Sequence, residues 1–189
     1  MSSFTFNDGK VKLANGSLNY EADSGPTGTL RVMLVIHDPT VNAGAGEPDL
    51  NKDYTNLGSG AGGIFSGANT YEEYDGAGYP GPSAPPNTIA DRPRLPVMTV
   101  VADYGQDEAE INPSGATQPE REVDFGSPLA AGAGKVIRAL IVYEHVSDVN
   151  DDLNVPIAFI DQGTLVGQNG NGQPMTVSWS GIFAALKDA

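Results

Sequence analysis

The chain contains no cysteine. Disulfide staples, thiolate metal sites and cysteine nucleophiles are therefore excluded, and stability has to come from burial and hydrogen bonding. Positive charge is scarce too: 10 Lys and Arg stand against 24 Asp and Glu, giving a formal net charge of −14. Affinity for phosphate backbones comes largely from Lys and Arg, so this balance argues against a nucleic-acid partner and toward protein partners. No apolar run approaches the roughly 18 residues that would span a bilayer, and no basic-then-apolar segment opens the chain. Neither a membrane partner nor a secretory signal is expected. Histidine is limited to His37 and His145, too few for a three-histidine catalytic zinc site.

What is plentiful is glycine and proline, with 24 and 14 copies in 189 residues, which predicts many turns. Apolar content of 39% is enough for a core, and the length suits one domain over residues 1–189. The strongest local signal is Gly134–Val146, GKVIRALIVYEHV. Read as extended chain, it puts Ile137, Ala139, Ile141 and Tyr143 on one face and Leu140 and Val142 on the other. Its β-branched residues fit a pleated surface better than a helix, so it reads as a central strand buried on both sides. The connection SDVNDDLNV is rich in turn formers, which makes Ile157–Asp161 an antiparallel neighbour. Thr29–Asp38 repeats the two-faced pattern, with Leu30, Val32, Leu34 and Ile36 opposite Met33 and Val35. A third such strand runs through Leu95–Tyr104. Glu122–Phe125 reads as a short strand with Val123 and Phe125 inward, and Met175–Phe183 alternates cleanly, as a strand with one wet face does.

The remainder is connection. VKLANGSLNY favours a hairpin turning on Asn15-Gly16, with Leu13 facing Leu18 and Val11 facing Tyr20. A short helix closed by Asn15 or Gly16 is the alternative. Gln106–Glu122 reads as a polar excursion, and residues 39–96 as a long Gly/Pro-rich loop or arm of the kind that is usually functional. Within it lie Tyr71, Tyr74 and Tyr79, candidate interface residues. The blander reading has them packing over the sheet edge, because amphipathic aromatics serve both purposes. Short strands punctuated by turns, with no sustained amphipathic helix, predict an all-β, single-domain β-sandwich or jelly-roll-like fold.

Motifs with chemical meaning are tested and set aside. Asp148, Asn150 and Asp152 alternate like the opening of a calcium loop, but Leu153 stands where the loop needs Gly and Phe159 where it needs Glu. A solvated turn is expected there. The neighbouring pairs Glu72-Glu73 and Asp151-Asp152 read as solvated carboxylates, and each histidine as a hydrogen-bonded residue at a strand end. No serine lies in a nucleophile elbow, and no glycine-rich run continues into a phosphate loop. No catalytic residue, cofactor or metal is expected, and the protein reads as non-enzymatic.

Four segments taken together, TGTLRVMLV, TYEEYDGAGY, RALIVYEHVSDVNDDLNVPIAFIDQG and MTVSWSGIF, resemble in content and order a family of small structural proteins of tailed bacteriophages. His145, Val146 and Gln162 depart from the family pattern. The resemblance implies a virion protein made in the host cytoplasm, present as a homo-oligomer or in many copies. Its partners would be the major capsid protein or other virion proteins. The leading form is a decoration (cement) protein on the outer head surface. A neck, tail or fibre-base protein, or a receptor- or glycan-binding module, is the alternative. The resemblance also implies a short helix before Asn15-Gly16.

Overall fold

The computed structural model describes residues 4–18, 29–37, 53–66, 71–83, 86–95, 98–103, 108–113, 122–129, 136–160, 170–178 and 184–187. They form antiparallel strands and one short helix, an all-β fold. The frame is a pair of long strands, β2 (Thr29–His37) and β7 (Val136–His145), aligned from Thr29 opposite His145 to His37 opposite Val136. On the far side of β7 lies β8 (Val155–Ile160), and beyond it the two-residue β1 (Phe4–Thr5). The equally short β3 (Glu72–Glu73) edges β2, so this five-stranded sheet runs β1-β8-β7-β2-β3. The described parts of the two runs, Val136–His145 and Val155–Ile160, thus meet as antiparallel neighbours, and β7 is central.

Both faces of the sheet are buried. Strict alternation along β2 sends Leu30, Val32, Leu34 and Ile36 into one apolar cluster and Met33 and Val35 into the other. β7 departs from the expected alternation, since Val35 pairs with Ala139 whereas Ile36 pairs with Ile137, a bulge that passes over Arg138. One extra residue inverts the parity of what precedes it. Ile137 therefore packs with Leu140 and Val142, not with Ala139, Ile141 and Tyr143.

The segment before Asn15-Gly16 is a helix, α1 (Asn7–Ala14), which corrects the hairpin preference. Gly16 takes a left-handed φ of 68°, and Ser17 N–H donates to the Lys12 carbonyl at 3.0 Å, closing the last turn. Gly9 is buried with its Cα against β8; a Cβ there would lie 2.7 Å from the Ile157 carbonyl oxygen. The pairing of Asn15-Gly16 with flanking apolar residues could not reveal that docking, because it depends on Ile157, far along the chain. Tyr20 lies outside the described residues.

A second sheet joins β4 (Met98–Asp103), β5 (Glu108–Pro113) and β10 (Ala184–Lys187) in the order β10-β5-β4. β5 corrects the reading of Gln106–Glu122 as an excursion: Glu and Pro are weak strand formers, yet the segment pairs on both sides. A two-stranded ribbon pairs β6 (Glu122–Asp124) with β9 (Thr176–Ser178). Val123 and Phe125 are buried inward as expected, with Met175 and Val177 packed on the same cluster. Trp179 and Phe183 lie outside the described residues.

The described parts of 39–96 are cover for the sheet. Tyr74, Tyr79 and Leu95 join the cluster on one face, and Leu57, Ile64 and Tyr71 the cluster on the other. Those residues are built into the core, so they do not form a free arm. Among the described residues no helix is long and apolar enough to cross a membrane.

Candidate functional site

The densest polar arrangement lies where the turn 146–154, linking β7 to β8, meets β3 and the segment 86–95. It is centred on Arg92, only 2% exposed. Local structure places it: Thr88 and Asp91 form a capping box around a 3-10 turn, Ile89–Asp91, which ends on Arg92. Arg31 of β2 is buried beneath this turn and donates from Nη1 to the carbonyls of Ala90 and, at 3.1 Å, Arg92. Val32 N–H donates to the Pro93 carbonyl and Leu95 N–H to the Leu30 carbonyl, which fixes the segment along β2.

From there the Arg92 guanidinium grips two carboxylates. Nε and Nη2 donate to Glu73 at 2.8 and 2.7 Å, and Nη1 and Nη2 donate to Asp151 at 2.7 and 2.8 Å. Four of its five N–H donors are thereby committed in fork geometry, and its Cζ lies 5.5 Å from the centre of the Tyr143 ring. Burial alone would lower the Arg92 pKa. The Glu73 charge and the hydrogen bonds to both carboxylates outweigh it and hold the pKa well above the ordinary value. Burial pushes Asp151 the other way, but the hydrogen bond and charge of Arg92, with Asn154, hold it below the usual carboxylate range. The Tyr143 hydroxyl is pushed up to about 12 by burial, against the lowering influence of Arg92.

The expected solvated pairs Glu72-Glu73 and Asp151-Asp152 are each half buried in ion pairs: Glu73 and Asp151 are held by Arg92. Nothing in ADRPRLP distinguishes Arg92 from Arg94, so the hub had no local signature. The turn holding Asp148–Asp152 is closed by Asn154, fully buried, whose Oδ1 accepts from Val146 N–H at 2.8 Å and Ser147 N–H at 2.9 Å. His145 is a buried strand-end histidine whose Nε2 lies 2.7 Å from Asp148 Oδ1. Its pKa is lowered, first by burial and then by the charge of Arg31. The side chain of His37 lies outside the described residues.

Tyr71, Tyr74 and Tyr79 do not reach the surface: they are 1%, 0% and 0% exposed. The packing reading is therefore the one the fold realises, and it removes these rings as surface anchors. For Tyr74 and Tyr79 the reason lies in the hydroxyls. Tyr79 Oη accepts from Leu34 N–H at 3.1 Å and donates to Glu73 at 3.2 Å; Tyr74 Oη donates to the Leu129 carbonyl at 2.8 Å and accepts from Gly170 N–H at 2.9 Å. Each of these two phenols satisfies backbone groups while its ring fills the core. Tyr79 is pushed well above the ordinary phenol value by burial and then by Glu73.

An open cleft of about 460 Å³ borders this network, lined among others by Phe65, Tyr71, Glu72, Glu73, Arg92 and Asp151. With its guanidinium committed twice over, Arg92 offers little to an anion. The carboxylates outnumber it, so the cleft favours a cationic group. Among the described residues no group of three or more His, Asp and Glu is set to hold a metal ion. No protein-family model, curated protein or solved structure matches this chain.

Proposed function

We propose that this chain is a non-enzymatic structural protein of a tailed-phage virion, in its most concrete form a decoration protein bound to the outside of the head. The observation that carries the proposal is where the resembling segments lie. TLRVMLV is β2, the Glu-Glu of TYEEY is β3, and RALIVYEH and VPIAFI, from one segment, fall in β7 and β8, so three of the four family-like segments supply neighbouring strands of one sheet, while the fourth supplies β9 of the ribbon. The polar groups beside the cleft also favour a binding role: Arg92, Glu73 and Asp151 hold three chain segments together, and a residue so committed is a poor proton shuttle. The fold that accompanies the reading is a β-sandwich or jelly-roll-like domain, with the β6–β9 ribbon and its neighbours layered on the five-stranded sheet. Acidity of −14 suits a partner surface carrying Lys and Arg.

The test is the copy number of the protein in purified particles, measured by quantitative mass spectrometry and located in density maps. Copies comparable to the major capsid protein, on the head exterior, are the expected result. A small number confined to the neck or tail would replace decoration by that alternative, and absence from particles would remove the virion reading.

A further inference from the structure

The turn 146–154 combines two properties that seldom coincide, tight internal hydrogen bonding and exposed aliphatic side chains. Its donors are met inside the turn. Besides the two bonds to Asn154, Val149 and Asn150 N–H donate to Ser147 Oγ at 3.2 and 3.1 Å, Asp152 N–H to Asn150 Oδ1 at 2.9 Å, and Leu153 N–H to the Asn150 carbonyl at 3.2 Å. Arg92 then ties Asp151 to the sheet, and Leu57 N–H donates to the carbonyls of Asp151 and Asn154. Despite this order, Val149 is 89% exposed, Leu153 54% and Val146 40%. A turn that only needed to connect two strands would carry polar residues at such positions. The ordering cost that a flexible loop meets on binding is here already met in the free protein.

From this geometry we infer that the turn 146–154, with the adjoining cleft, is a docking surface for a partner protein that offers an apolar recess bordered by lysine or arginine. The apolar element is Val149 and Leu153. Their surroundings are acidic: Asp148 and Asp152 lie exposed in the same turn, and the adjoining cleft adds the exposed Glu72. Phe65, half-buried, also lines the cleft, where an aromatic ring stabilises an inserted cation. A second copy of this chain is the poorer occupant, because two surfaces of one acidic sign repel. The inference rests on the virion reading, in which the partner is the capsid shell, and it takes over the contact role first assigned to the tyrosines.

The experiment measures binding of the purified full chain to preassembled expanded capsid shells lacking it. It compares wild type, the double variant Val149→Ser/Leu153→Ser, and Asp152→Lys. Val149 and Leu153 are exposed, so the double variant should melt as wild type does, whereas the Asp152 carboxylate packs against Gly58 and Asp152→Lys should melt somewhat lower while remaining folded. The double variant is expected to bind about tenfold more weakly or worse, as loss of interface anchors does, and Asp152→Lys should slow association at low salt. Equal binding by folded wild type and double variant overturns the surface and leaves the decoration reading standing. No binding by folded wild type overturns that reading, and the surface with it. Sedimentation of the same proteins covers the remaining occupant: wild-type self-association abolished in the double variant would assign the turn to a second copy and overturn the heterologous partner.

Discussion

Two connections in this chain look alike as sequence and fold to opposite ends. Residues 71–83 and 146–154 are both rich in Gly, Pro, Asn, Asp or Ser, and both carry apolar or aromatic residues among the polar ones. In the first the large side chains are buried; in the second Val149 and Leu153 face solvent. The difference teaches that hydrophobicity alone does not rank residues for burial in a loop. Tyr74 and Tyr79 enter because each brings a hydroxyl that serves backbone groups, so ring burial and polar satisfaction coincide, and Tyr71 enters by packing its ring against Phe159. The aliphatics stay outside because Asn154, Ser147 and Asn150 close the turn on itself, leaving no need for it to fold back. Arg92 binds the two regions into one unit, since Glu73 belongs to the first and Asp151 to the second.

The strongest challenge to that unit is to remove the sheet both regions hang on. Ile141 is fully buried, and Ile141→Asp should abolish soluble folding, because an unpaired buried charge costs several kcal/mol against a typical margin of about 5–15. Soluble protein with a cooperative melt would refute the central role of β7. Arg92→Leu comes next: it strands Glu73 and Asp151 and should cost roughly 3–5 kcal/mol in urea unfolding. A loss under about 1 kcal/mol would mean the regions do not depend on their shared cation. Tyr79→Phe keeps the ring but leaves Leu34 N–H without its acceptor, and should cost roughly 1–3 kcal/mol by the same measurement.

Charge titration should give a smaller, stepwise effect. Asp151 has a folded pKa below its ordinary 3.8, so its contribution is full above that value and is lost as pH falls through the folded one. His145 is also depressed, below 6.5, so the folded state resists its protonation and stability declines as pH falls from 6.5 toward the folded value. Unfolding curves should therefore show two losses on acidification. Asp151→Asn should flatten the lower one and His145→Gln the upper one; two unaltered steps would remove these groups as the cause. The smallest change is expected from Val149→Ser, within about 0.5 kcal/mol of wild type. A larger loss would show that the second region is packed after all, and the contrast between the two connections would collapse.

The two central strands, the antiparallel relation of β7 to β8 and the inward Val123 and Phe125 were legible in the sequence, because a two-faced apolar pattern has few ways to be buried. The short helix was not. Gly16 closes α1 with the same left-handed preference that a hairpin would use, and the deciding contact is Gly9 against Ile157. Nor was the bulge, since an extra residue in β7 shows itself only against the partner strand. The site fared worse than the fold. Glu73, Arg92 and Asp151 are scattered along the chain as ordinary charged loop residues, and nothing local marks three ions that will share one buried position. Sequence determined which strands must lie at the centre, because burial there follows from residue type and spacing. Tertiary structure alone decided which loop residues would be core, clamp or surface, because those roles depend on which backbone groups and charges each side chain meets across the fold.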